Sequence, residues 1–166
     1  YIEADEETEY RLNNLSWKTD GKSRNKKIPA SAKIIYNGVF ASTEISEKNF
    51  VPKYGDIVLI DNNKDGNIDV VFINNYDLIV VKTVDENNSA IIGMNGKSYS
   101  LDKLENDVDY VIHDKYENDI PIEVLRKWDI LSVKKAHNGS FTEFILSDDK
   151  VSGVAESLSD DYVVVD

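Results

Sequence analysis

The residues best suited to chemistry lie between Asp61 and Asp69. In the run Asp61-Asn62-Asn63-Lys64-Asp65-Gly66-Asn67-Ile68-Asp69, oxygen-bearing side chains stand at positions 1, 3, 5 and 9, and the Asn67 carbonyl is available at position 7. Calcium is a hard cation that takes several oxygen ligands, and alternate spacing lets a curved loop aim them inward. Gly66, sixth in the run, permits the sharp turn such a loop needs. The metal candidates are therefore Asp61, Asn63, Asp65, Asn67 and Asp69, and Ca2+ is the one cofactor to expect. An EF-hand would also require a glutamate at position 12; counted from Asp61 that residue is Phe72, so an EF-hand is rejected. Turn chemistry explains the same residues without metal, because Asp-Gly between two strands suits a tight or bulged hairpin. Both readings stay open.

Other chemistry is thinly represented. The chain has no cysteine, which removes disulfides, thiolate–zinc sites and cysteine nucleophiles. Its two histidines, His113 and His137, are too few for a histidine metal cage. His113 alternates with Val111 as on a half-buried strand face, and His137 beside Asn138-Gly139 reads as an exposed turn residue. Asp148-Asp149 and Asp160-Asp161 are neighbours on turn-like segments; adjacent carboxylates usually point apart, unlike the facing pair of a glycosidase. Neither a Gly-x-Ser-x-Gly elbow nor a glycine-rich phosphate cradle is present. The expectation is a protein that is not an enzyme.

Charge points the same way. Nineteen basic against 31 acidic residues leave a formal charge of −12, an acidic balance that argues against nucleic acid as a partner. No apolar run approaches the ~18 residues of a membrane span, so membrane insertion is not expected. Hydrophobic residues at 41% suffice for a packed core.

The elements that would carry these residues have a period of two. Gly55–Ile60 and Ile68–Ile73 flank the acidic loop as a β-hairpin, and Trp128–Val133 with Phe141–Leu146 flank Asn138-Gly139 as a second. Further strands are expected at Lys33–Tyr36, Leu78–Val84, Ala90–Met94, Ser98–Leu101, Tyr110–His113 and Tyr162–Val165. Short helical turns are expected within Ser42–Phe50 and Pro121–Lys127. Residues 3–9 read as a solvated acidic stretch.

The chain also looks duplicated. Lys53–Ile60 parallels Arg126–Val133, Asp65-Gly66 falls on Asn138-Gly139 and Phe72-Ile73 on Ile145-Leu146, all at a spacing of 73. Asp20-Gly21-Lys22-Ser23 parallels Asn95-Gly96-Lys97-Ser98 at 75, and Lys33–Tyr36 parallels Asp109–Ile112 at 76. The second copy carries Lys134, Ala136, Asn138, Ser140 and Thr142 at the ligand positions, which make no site. A third copy starts where Val151–Val154 resembles Val81–Val84. The fold expected is all-β with minor short helices, built as tandem small barrels of SH3-like or OB-like kind. Residues 1–77 would form the first module, 78–150 the second, and 151–166 a strand pair that completes the second or begins a third. Tyr1 and Asp166, the latter ending a strand-like run, suggest a piece of a longer protein. Tyr54 and Trp128 precede Asp-Ile strands in both copies, which favours core or seam positions for them over a sugar-binding platform with Tyr36, Trp17 and the other aromatics.

Ile34-Ile35-Tyr36-Asn37-Gly38, the string from Pro52 to Gly66, Asp69–Phe72, Asn95–Leu101 and Val124–Leu131 resemble β-barrel repeat modules of large secreted, S-layer-homology-associated surface proteins of Gram-positive bacteria. The resemblance covers most of residues 28–166 and rests on short motifs rich in turn residues. It implies an extracellular, wall-associated, non-catalytic module that spaces or links domains. Its partners would be other domains of the same protein or assembly, and cell-wall glycan is a second partner to consider. A bacteriophage tail or baseplate module, in a virion, is the alternative setting; a carbohydrate- or wall-polymer-binding module is the alternative function.

Overall fold

The computed structural model describes residues 1–41, 45–101, 109–147, 155–158 and 163–165. The acidic pairs Asp148-Asp149 and Asp160-Asp161, the expected third-copy segment Val151–Val154, Tyr162 and residues 42–44 of the expected helical stretch lie outside the described residues.

In chain order the strands are β1 (Ile2–Glu3), β2 (Glu9–Arg11), β3 (Asn14–Thr19), β4 (Lys22–Lys27), β5 (Lys33–Tyr36) and β6 (Val39–Phe40). A single helical turn, α1 (Glu47–Phe50), precedes β7 (Gly55–Ile60) and β8 (Val70–Asn75). Then follow β9 (Asp77–Asp85), β10 (Ala90–Gly93), β11 (Ser98–Ser100) and β12 (Asp109–Asp114), a 3-10 turn at Ile122–Val124, β13 (Ile130–Lys135) and β14 (Phe141–Ser147). β15 (Ala155–Leu158) and β16 (Val163–Val165) come last. The protein is mostly β-sheet, and no helix among the described residues is long and apolar enough to cross a membrane.

The described strands form four sheets, ordered β1-β7-β8-β5-β6, β2-β3-β4, β11-β10-β9-β13-β14-β12 and β15-β16. Among the described residues none of them closes into a barrel, and the tandem small barrels expected from the strand spacing do not appear. The C-terminal pair β15–β16 pairs with no other strand among the described residues.

Strand pairing repeats from one half to the other. β8 lies between antiparallel β7 and parallel β5, and β14 lies between antiparallel β13 and parallel β12. The long strand β9 pairs through Asp77–Val80 with β13 and through Val81–Asp85 with β10. In the first half the same two pairings are divided between β1 on β7 and β2 on β3, with the turn at residues 5–8 interrupting the strand. α1 occupies the place of the 3-10 turn, and buried Phe50 there corresponds to buried Leu125.

The registers correct the sequence alignment in two places. Ile57 is fully buried opposite Ile73, whereas Ile130, matched to it at 73, is exposed; Leu131 is the residue buried opposite Leu146. The second strand therefore starts one residue later, and Trp128, at φ +78, takes up the extra residue. Likewise Ile34 pairs with Val71 as Ile112 pairs with Phe144, which places β5 on β12 at 78 rather than 76. Closing bonds agree: Ala41 N–H donates to the Ile34 carbonyl and Ile120 N–H to that of Ile112. A two-residue shift leaves every side chain on its own face, whereas a one-residue slip reverses them all.

Each half has its own apolar cluster. Ile2, Leu15, Ile28, Phe50, Ile57, Ile68, Val71 and Ile73 make the first, while Ile79, Val81, Ile91, Leu101, Ile112, Leu125, Leu131, Val133 and Phe144 make the second. Three two-residue turns shape the first half: Leu12-Asn13, Asp20-Gly21 and Asn37-Gly38 all have positive φ at both residues, the type I′ geometry that matches strand twist. At Gly55, φ is +144 and an added Cβ would sit 1.9 Å from the Asn74 carbonyl oxygen. Gly55→Ala is expected to cost about 1–3 kcal/mol in urea unfolding. The loss should be accompanied by faster amide exchange at the Gly55–Asn75 end of β7–β8; unchanged exchange there would refute the steric account.

Candidate functional site

The five expected ligands fall in one loop, held at both ends. Asp61 follows β7 directly and Asp69 precedes β8, while buried Ile68 pins the loop to the first core. Asp69 N–H donates to the Ile60 carbonyl at 2.8 Å, and the Asp69 carbonyl accepts from Lys33 N–H at 2.8 Å. Lys64 (φ +62) and Gly66 (φ +91) turn the chain.

The side chains mostly serve the loop's own backbone. Asp61 Oδ2 accepts from Gly66 N–H at 2.8 Å, Asp69 Oδ2 from Asn62 N–H at 2.8 Å and Asn63 Oδ1 from Asp65 N–H at 3.0 Å. Asp65 Oδ1 accepts from Asn67 N–H at 2.8 Å, and Asp65 Oδ2 from Asn63 Nδ2 at 3.0 Å. The Asn67 N–H, then the Asn63 amide, hold the Asp65 carboxyl below the usual carboxylate range by favouring its charged form. One atom stands outside this scheme: Asp61 Oδ1 is buried and has no hydrogen-bond partner. Among the described residues no three His, Cys, Asp or Glu side chains gather closely enough to hold a metal.

The two histidines fall in different settings. His113 on β12 is half-buried, with Nε2 2.9 Å from Glu143 Oε1 and Nδ1 2.8 Å from the Asp114 carbonyl. Lys134 Nζ lies 3.5 Å from Glu143 Oε2, so β13, β14 and β12 each contribute one member of a charged row. With both ring nitrogens facing acceptors, the doubly protonated imidazolium satisfies every bond. Burial pushes His113 toward neutrality, but the Asp114 carbonyl and Glu143 outweigh it and raise the pKa above the ordinary value. A folded-state pKa above the unfolded one means a stabilising contribution that is complete below the unfolded pKa of about 6.5 and is lost as pH rises through the folded value. Unfolding free energy should therefore fall as pH rises past about 6.5 in the native chain, and this slope should flatten in His113→Gln. An equal slope in both proteins would assign the pH dependence elsewhere.

His137 is exposed and packs edge-on against Tyr36, with ring centroids 5.6 Å apart. This contact joins the halves at a depression of about 400 Å³ lined by Tyr36, Asn37, Asn75, Asp77, Lys135 and His137. Asn37, 6% exposed, is the central residue here. Its Nδ2 donates to the carbonyls of Asn75 (3.0 Å) and Lys135 (2.7 Å), and its Oδ1 accepts from Asn75 N–H (2.8 Å). Sequence reasoning uses Asn37-Gly38 only in the string that carries the resemblance and misses this role; the Asn-Gly pair was the available signal, since a type I′ turn with positive φ at the asparagine aims the amide back across the hairpin.

The aromatic expectation is corrected. Trp128 is 65% exposed and Tyr54 43%, so neither is a core residue. Lys127 Nζ sits 5.2 Å from the Trp128 ring centroid and Lys53 Nζ 5.0 Å from that of Tyr54. Trp17, by contrast, is half-buried against the first core. Comparison with known protein families, with curated proteins and with solved structures finds no match to this chain.

Proposed function

We propose that the chain is a non-catalytic spacer of a secreted cell-surface protein, two related β modules that hold neighbouring domains at a set separation through protein contacts. The modules are read as residues 1–77 and 78–150, each an opened variant of a small barrel, with 151–166 a further strand pair. The observation that supports this reading is the junction. Only Tyr76 separates β8 from β9, and the Asn37 amide ties Asn75, the last residue of β8, to Lys135 of the second half. A one-residue connection and a buried hydrogen-bonded clamp disfavour independent motion of the halves. Residual dipolar couplings measured for the two halves should fit a single alignment tensor. Two distinct tensors would defeat the spacer reading. A tail or baseplate module in a virion would use the same rigidity.

Calcium on the Asp61–Asp69 loop belongs to this proposal because Asp61 Oδ1 is buried without a partner. An unpaired buried carboxylate oxygen is costly, and a hard cation would offset that cost. Asp61, Asn63, Asp65, Asn67 and Asp69 are the residues that would hold it, and to do so Asp61, Asp65 and Asp69 would have to draw together from the loop N–H groups they now accept from. Calorimetry and thermal melting with millimolar calcium should show heat and a rise in melting temperature, both lost in Asp65→Ala and Asp69→Ala. Absence of heat in the native chain would reduce the loop to turn chemistry.

Exposure of Trp128 favours a second reading, a carbohydrate- or wall-polymer-binding module, since a flat exposed indole suits a sugar face. Retention of glycan binding by Trp128→Ala on an array would dismiss Trp128 as the platform.

A further inference from the structure

The acidic chain contains a basic block. Residues 10–41 hold seven Lys or Arg and one acidic residue, leaving 12 basic against 30 acidic residues for the remainder. Four of the seven, Lys22, Arg24, Lys26 and Lys27, are on β4, which among the described residues pairs with β3 alone. Among the described residues none of the four is within salt-bridge distance of a carboxylate, whereas Lys18 on β3 pairs with Glu7. Every β4 residue except Lys26 is exposed.

Among the described residues the backbone of β4 is open on its outer side. Antiparallel pairs alternate between bonded and non-bonded, and Ile28 N–H donates to the Asn13 carbonyl. Counting back along the same register, Lys26, Arg24 and Lys22 bond to Leu15, Trp17 and Thr19, so the N–H and C=O of Ser23, Asn25 and Lys27 point away from β3. No backbone partner occupies them among the described residues. Like charges keep two such edges from pairing with each other. They favour an incoming strand of opposite sign.

We propose that β4 is a docking edge for an acidic, extended polypeptide strand, which adds to the β2-β3-β4 sheet through the backbones of Ser23, Asn25 and Lys27 and pairs its carboxylates with Lys22, Arg24, Lys26 and Lys27. Main-chain bonds supply affinity in this mode and alternate side chains supply selectivity. The inference does not depend on the spacer reading, because a flexible or sugar-binding chain would carry the same edge.

The test uses the full chain and a capped peptide of five Thr-Glu repeats, with inorganic polyphosphate of equal charge as the comparator. Peptide binding, read by fluorescence anisotropy, is expected to slow amide exchange at Ser23, Asn25 and Lys27 and to weaken with salt. Arg24→Glu with Lys26→Glu should weaken it at least tenfold. Asn25→Pro removes only an outward N–H, a change that an edge strand accommodates, and should abolish binding with the melting temperature unchanged. Native-like peptide affinity in Asn25→Pro would overturn the proposal. So would polyphosphate binding equally well without amide protection, which would make β4 a plain anion patch. Concentration-dependent self-association that protects the same amides would assign the edge to a second copy instead.

Discussion

Asn37→Ala is expected to lower the unfolding free energy by about 2–4 kcal/mol. Three hydrogen bonds are lost, and the groups left behind (Asn75 N–H and the carbonyls of Asn75 and Lys135) sit in a buried junction where water replaces them poorly. Alanine also fits badly at φ +47, which adds about 1 kcal/mol. Two further variants separate these causes. Asn37→Gly retains the backbone conformation and should recover only the conformational part. Asn37→Asp can still accept from Asn75 N–H but sets a carboxylate against two carbonyls, so it should be at least as damaging as alanine. Urea unfolding of all three decides the matter. Losses below about 0.5 kcal/mol in Asn37→Ala would show that the junction is held by packing instead. The spacer reading would then lose its main support.

The elements legible in the sequence are those that carry a short run rich in apolar and β-branched residues beside an Asx-Gly turn. β7, β8, β13 and β14 fall where β-branched runs flank Asp-Gly and Asn-Gly turns. β4 was illegible because Lys22–Lys27 contains no apolar residue, and its strand exists through its partner: Leu15 and Trp17 anchor β3, and the Asp20-Gly21 type I′ turn folds β4 back along it. That turn signal was in the sequence and was used only to align the repeat. The one-residue slip at Trp128 was hidden for another reason. Asp129-Ile130 imitates Asp56-Ile57 in type, whereas which face is buried depends on the cross-strand partner. In the acidic loop the residues could be named from spacing, but the orientation of each oxygen depends on which backbone N–H the turn presents to it. Closure of the sheets was misjudged because strand count and length do not specify whether edges meet.

The largest expected losses are in the two cores, and they also test whether there are two. Phe50 and Phe144 are both fully buried, Phe50 stacked on Tyr10 with centroids 3.6 Å apart and Phe144 edge-on to Tyr99 at 5.5 Å. Truncation of either to alanine removes a buried ring and leaves a cavity, at a cost of about 3–5 kcal/mol. What matters is where each loss is felt. Phe50→Ala should speed amide exchange in β3, β5, β7 and β8 far more than in β9, β13 and β14, and Phe144→Ala should do the reverse. Each half buries limited apolar area of its own, so a loss of this size should unfold the affected half first and resolve thermal unfolding into two steps. Asn37 sets the limit on that independence, because the affected half, once unfolded, releases the clamp and exposes the carbonyls it satisfied. The surviving half should therefore melt lower than in the native chain, by about 1 kcal/mol, since of the three Asn37 bonds only the one to the Lys135 carbonyl crosses between the halves. If both variants instead unfold in one step with uniform exchange, the two apolar clusters form one cooperative unit, and the division into modules near residue 77 fails.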